Sequence, residues 1–161
     1  MTILYINGDG HSAAAMSSTD FIAAEDDVNL WYMGRAPHPV NLRRSYGAYI
    51  ASVLKARLLV EADANNTNQT VIDQTKKFIE NNPVNEQILV IAGMPVYDKL
   101  QFDEFGAYFK QRDIKHILYP VSDYVEWLTL RQHTPNEFGY FDELAHKDWA
   151  GNLIKPLTRI I

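Results

Sequence analysis

Near the amino terminus, Asn7-Gly8-Asp9-Gly10-His11-Ser12 sets a carboxylate, an imidazole and a hydroxyl almost side by side. They join a short apolar run, ILYIN (3–7), to an alanine-rich stretch, HSAAAMSSTDFIAA (11–24). A strand that turns there into a helix presents unpaired N–H groups and the positive end of the helix dipole, a place suited to an anion or an oxyanion. Ser12, in the first helical turn, lies where the dipole favours an alkoxide, although such a serine also serves as a plain helix cap. Asp9 suits holding the turn by accepting backbone N–H bonds better than acting as a base. His11 reads as a ligand or, more simply, as a polar residue at a helix start.

Other chemistry-bearing residues are scattered. His38, in APHPVN, belongs to a proline-bounded loop of the kind that often carries function or is only a turn. Arg43 and Arg44 form a pair able to clamp a carboxylate or phosphate, or to be merely solvated. Gly8-Asp9-Gly10 lacks the third glycine of a dinucleotide fingerprint and the lysine of a phosphate loop. Asp9, His11, Asp142 and His146 are metal-ligand types, but no ligand pair at local spacing accompanies them, so neither a metal nor a cofactor is expected.

The elements that must position these residues follow from alternation. Apolar runs at 3–7, 57–62, 86–93 and 115–120 read as strands. Stretches at 11–24, 45–56, 70–82, 102–113, 122–132 and 143–157 read as helices, with Ser122 as an N-cap and Pro156 as a stop or kink. EQILVIAG (86–93) is continuously apolar, the mark of a strand buried on both faces. Residues 25–44, with two prolines, read as an irregular excursion, and ADANNTNQ as a loop. Asn-Gly and Asp-Gly also signal a β-hairpin, but HSAAAMSS makes a poor second strand. Strands alternating with helices predict right-handed βαβ units and a three-layer, flavodoxin-like α/β sandwich with a parallel sheet, in one domain spanning 1–161.

Composition narrows the function classes. The chain is 47% apolar, has a formal charge of −5 and contains no cysteine. Its 15 basic residues are dispersed among 20 acidic ones, which disfavours a nucleic-acid partner, and no disulfide or thiolate site is possible. No apolar run reaches the roughly 20 residues of a membrane helix, and TILYI lacks the basic flank and length of a signal core, so a cytoplasmic protein without a membrane partner is expected.

Three blocks together, NGDGHSAAA, ADANNTNQTVI and DELAHKDWAGNL, resemble in order and spacing the SGNH (GDSL-like) hydrolase superfamily, in particular small members of the kind found in phage genomes. The resemblance covers most of the chain. It implies an esterase-type hydrolase whose first block reads Gly-Asp-Ser with the serine as nucleophile. Here that position is Gly10, which has no hydroxyl. The last block, Asp-x-x-His, implies His146 as general base. Its orienting partner is then either Glu143, at the right spacing, or Asp142, one residue further back. Asn66 falls near a residue that donates to the oxyanion hole, and the third-block Asn is missing from Gly93-Met94-Pro95-Val96.

Acyl transfer needs a nucleophile, a base, an orienter and oxyanion donors. With Gly10 silent, Ser12 is the nearest hydroxyl, but it lies some 200° around the helix from residue 10. Without the resemblance, His146 is an ordinary packed or surface histidine near Trp149. Trp31, Tyr32, Trp127, Phe138, Tyr140 and Phe141 read as core or lid. Two readings remain: a hydrolase acting on a small-molecule ester or acyl bond, or a catalytically silent relative that binds a protein or a ligand.

Overall fold

Strand β1 (Thr2–Asn7) lies inside a four-stranded sheet, with β2 (Arg57–Val60) on one side and β3 (Gln87–Met94) then β4 (Lys115–Pro120) on the other. Every pairing is parallel, which gives the order β2-β1-β3-β4 and rules out a hairpin at Asn7-Gly8. The computed structural model describes residues 1–13, 39–82, 86–136 and 139–161. Helices α1 (Tyr46–Leu54), α4 (Val121–Leu130) and α5 (Glu143–Ile160) cover one face, packing on Leu4, Ile6, Leu89 and Ile91. Helices α2 (Asn68–Asn81) and α3 (Lys99–Gln111) cover the other, over Tyr5, Val90 and Ala92. Successive strand side chains point to opposite faces, so these apolar runs must be covered twice. The result is the three-layer, flavodoxin-like sandwich expected from the alternation. In this strand order the topological switch point lies between the carboxyl ends of β1 and β3.

Several boundaries differ from the sequence reading, each for a local reason. Helix α2 begins at Asn68 because the Thr67 hydroxyl accepts the Thr70 N–H, and Asn68 itself bonds across to Val96; the asparagines that read as loop belong partly to a capped first turn. Helix α3 starts at Lys99 behind Asp98, which accepts from Gln101. Ser122 is not an N-cap: β4 runs through Pro120 directly into α4, whose cap position makes no side-chain bond. Helix α5 starts at Glu143 as expected but does not stop at Pro156. Trp149, Leu153 and Leu157, four residues apart, are buried along one stripe, and that burial offsets the amide bond lost at the proline. Of the helix expected over 11–24, residues 11–13 form a turn and the rest lie outside the described residues. Within 25–44, Pro39–Leu42 is a helical turn.

Candidate active-site turn

Asp9 builds the turn at the end of β1. Its carbonyl accepts the N–H groups of Ser12 and Ala13 at 3.1 and 3.0 Å, and its carboxylate accepts the His11 N–H at 3.1 Å. Burial raises the Asp9 carboxyl above its ordinary pKa, partly opposed by nearby His11 and the bonds it accepts. Gly8 has φ +156°, and a Cβ there would stand 2.6 Å from Ser12 Oγ and 2.8 Å from the Gly93 carbonyl, so only glycine fits.

Asn66 braces this turn through its side chain. Its Nδ2 donates to the Gly8 carbonyl at 3.0 Å and to Asn7 Oδ1 at 3.2 Å, while Asn7 Oδ1 also accepts the Gly8 N–H at 2.8 Å. Asn7 Nδ2 reaches Gln74 Oε1 and the Tyr5 hydroxyl, and that hydroxyl donates to Glu61 at 2.6 Å. The Asn66 backbone N–H is taken by the Asp63 carbonyl at 3.0 Å, so it does not stand free as an oxyanion donor.

A side chain at Gly10 needs Tyr140 to move. A Cβ placed on it would run into the Tyr140 hydroxyl and come within 2.8 Å of two ring carbons. Burial and the nearby carboxylates of Asp9 and Asp63 push the Tyr140 phenol up to about 12. The His11 ring sits among Tyr124, Tyr140 and Phe141, with the first two ring centroids each 5.0 Å away. Burial lowers the His11 pKa, the charge of Asp9 opposing it, and buried Nδ1 has no hydrogen-bond partner among the described residues.

Ser12 is 3% exposed, and its Oγ lies 2.8 Å from the Tyr46 hydroxyl, which accepts from Tyr119 at 3.0 Å. Burial holds both phenols protonated, with pKa values above their ordinary range. Ser12 therefore ends a buried chain of hydroxyls, and its partner is a phenol rather than an imidazole.

His146 is fully buried, and its Nδ1 accepts the backbone N–H of Tyr46 at 3.1 Å, at the first turn of α1. That bond assigns the lone pair to Nδ1 and the imidazole proton to Nε2. Neither candidate carboxylate orients the ring. Asp142 caps α5 by accepting the Ala145 N–H at 3.0 Å. Glu143 accepts the Tyr49 hydroxyl at 2.7 Å and faces Arg44 at 3.3 Å. The base and orienter expected from the resemblance are thus one helical turn apart but wired to different partners.

The structure brings Asp9, Gly10, His11, Ser12 and Asn66 together at the carboxyl end of β1, and links His146 to them through Tyr46. His38 lies outside the described residues, and Arg43 is exposed. Among the described residues no group of three His, Cys, Asp or Glu side chains is arranged to hold a metal, and no helix is long and apolar enough to cross a membrane. Sequence reasoning missed Tyr46, Tyr119 and Asn7. Only Asn7 left a local trace, as a polar residue ending an apolar strand beside glycine. Compared with known proteins, the chain matches no family model, no curated protein and no solved structure.

Proposed function

We propose that this chain is a catalytically silent relative of the SGNH-type hydrolases, keeping the sheet and its first turn as a recognition frame in a cytoplasmic binding module. The observation that carries this reading is the Tyr140 hydroxyl, which fills the space where a residue-10 side chain would project. The nucleophile position is therefore chemically empty, and a side chain enters it only by displacing the Tyr140 ring. The wiring of His146 supports the same reading. A general base acting through Nε2 needs its proton on Nδ1, and in this chain Nδ1 faces a backbone N–H, where a second proton would leave two donors opposed. Ser12 offers no replacement, because its hydroxyl is buried and bonded to Tyr46.

A p-nitrophenyl acetate assay tests the proposal. The unmodified chain and Gly10→Ser should both stay at the buffer rate, and Gly10→Ser/Tyr140→Ala should too, since a serine with room still lacks a base. Turnover by the unmodified protein that Ser12→Ala abolishes would make this an active hydrolase and overturn the reading. Turnover by the double variant that His146→Ala abolishes would mean the frame retains its base.

A further inference from the structure

Helices α4 and α5 flank an open groove of about 440 Å³ on the face of the sheet that they cover, remote in character from the polar turn at Gly8. Its walls are Trp127 and Leu130 from α4 and Trp149 and Leu153 from α5, with Tyr119 of β4 beneath. Leu130 is 76% exposed, far more than an aliphatic side chain needs to be when a groove lies beside it. Asp123 and Glu126 stand on the α4 wall, three residues apart and so on one side of the helix. Both are exposed, and neither makes an ion pair among the described residues.

The cation beside this groove is already committed elsewhere. The Arg131 guanidinium lies 4.7 Å from the Trp127 ring centroid, and its Nε is 3.4 Å from Asp148, which also accepts His133 at 2.7 Å. Asp123 and Glu126 are left to meet a charge from outside. The seated guanidinium also demonstrates that the Trp127 face holds a cation.

We infer that this groove docks a basic, leucine-containing peptide segment of a partner protein, its aliphatic side chains against Leu130 and Trp127 and its Arg or Lys side chains on Asp123 and Glu126. An apolar floor with a one-signed polar rim is how a groove receives an amphipathic helix. A second copy of the chain is a poorer occupant, since each copy carries a formal charge of −5. The inference is independent of whether the turn at Gly10 is silent.

The test uses the intact chain and its own tryptophans, titrated with a short helix-forming peptide of Leu and Arg and, separately, with its Leu and Glu analogue. The Arg peptide should give a saturable emission change that is smaller in Trp127→Phe. Asp123→Lys/Glu126→Lys should bind it about tenfold more weakly, as expected for reversing two exposed charges. Asp73→Lys/Glu104→Lys, on the opposite face of the sheet, should bind like the unmodified chain. All four substituted acids are exposed, so circular dichroism should report native folds. Equal binding of the Glu peptide, equal loss in the control pair, no saturable binding, or self-association of the free chain that Leu130→Asp abolishes would each overturn the inference.

Discussion

The backbone N–H of Tyr46 points at Nδ1 of His146 across 3.1 Å, so an imidazole from α5 closes the first turn of α1. The first N–H groups of a helix have no partner inside it. Ser45 accepts the one at Ala48, and His146 accepts the one at Tyr46. His146, which the resemblance alone marks as a base, is a buried acceptor joining two helices.

It follows that His146→Ala should cost roughly 2–4 kcal/mol in urea unfolding, combining an orphaned N–H with a cavity. His146→Asn, whose Oδ1 can take the place of Nδ1, should recover part of that loss. Equal destabilisation by the two variants would argue against the acceptor role.

Gly10→Ala should destabilise by about 1–3 kcal/mol, because its Cβ must displace the Tyr140 ring. Tyr140 lies in a loop beside Gly139, at φ +83°, and is only half-buried, so the chain should still fold. In Tyr140→Ala the same Gly10 substitution should cost much less. A double-mutant cycle reads that coupling directly, and additive losses would mean that the two positions do not compete for space.

Gly8→Ala should be the costlier change, by about 3 kcal/mol or more, since both the positive φ and the Gly93 carbonyl oppose it. Unlike Tyr140, that carbonyl belongs to a central strand and cannot swing aside. Thermal unfolding of Gly8→Ala and Gly10→Ala under one condition checks the ranking.

What the sequence made legible was whatever depends on neighbours along the chain. EQILVIAG announces a doubly covered strand without any tertiary knowledge, and four such runs among helices leave few topologies open. The start of α2 was hidden by its asparagines, although Thr67 three residues before Thr70 was the available capping signal. The candidate site was legible only as a place. His146 meets Tyr46 across 100 residues of sequence, and Tyr140 comes over Gly10 from the loop before α5. No periodicity encodes such contacts. The acceptor at Nδ1 is, moreover, a backbone relationship to which the identity of residue 46 contributes nothing. Spacing located Glu143 and His146 on one helix, but partners decide what they do, and Tyr49 and Arg44 hold Glu143.

Two buried groups in the turn should give stability opposite dependences on pH. Burial lowers the His11 pKa below its ordinary 6.5, so between these values the unfolded chain binds the proton and the native one does not. Stability from this group is complete above 6.5 and falls as the pH is lowered toward the native value. The Asp9 carboxyl is shifted upward from 3.8, so the native chain keeps its proton where the unfolded one has lost it. Asp9 therefore favours folding at low pH, and that contribution disappears as the pH rises through its native value. Above its native pKa Asp9 is a buried charge held at a cost, and Asp9→Asn, which preserves an acceptor for the His11 N–H, should stabilise the protein in that range. The gain should shrink as the pH falls below the native pKa of the carboxyl. His11→Gln should remove the part of the acid loss that begins near 6.5. Urea unfolding of the three proteins at steps between pH 8 and pH 4 measures these differences. A stability difference between Asp9→Asn and the unmodified chain that does not change with pH would show that the Asp9 carboxyl is not the titrating group.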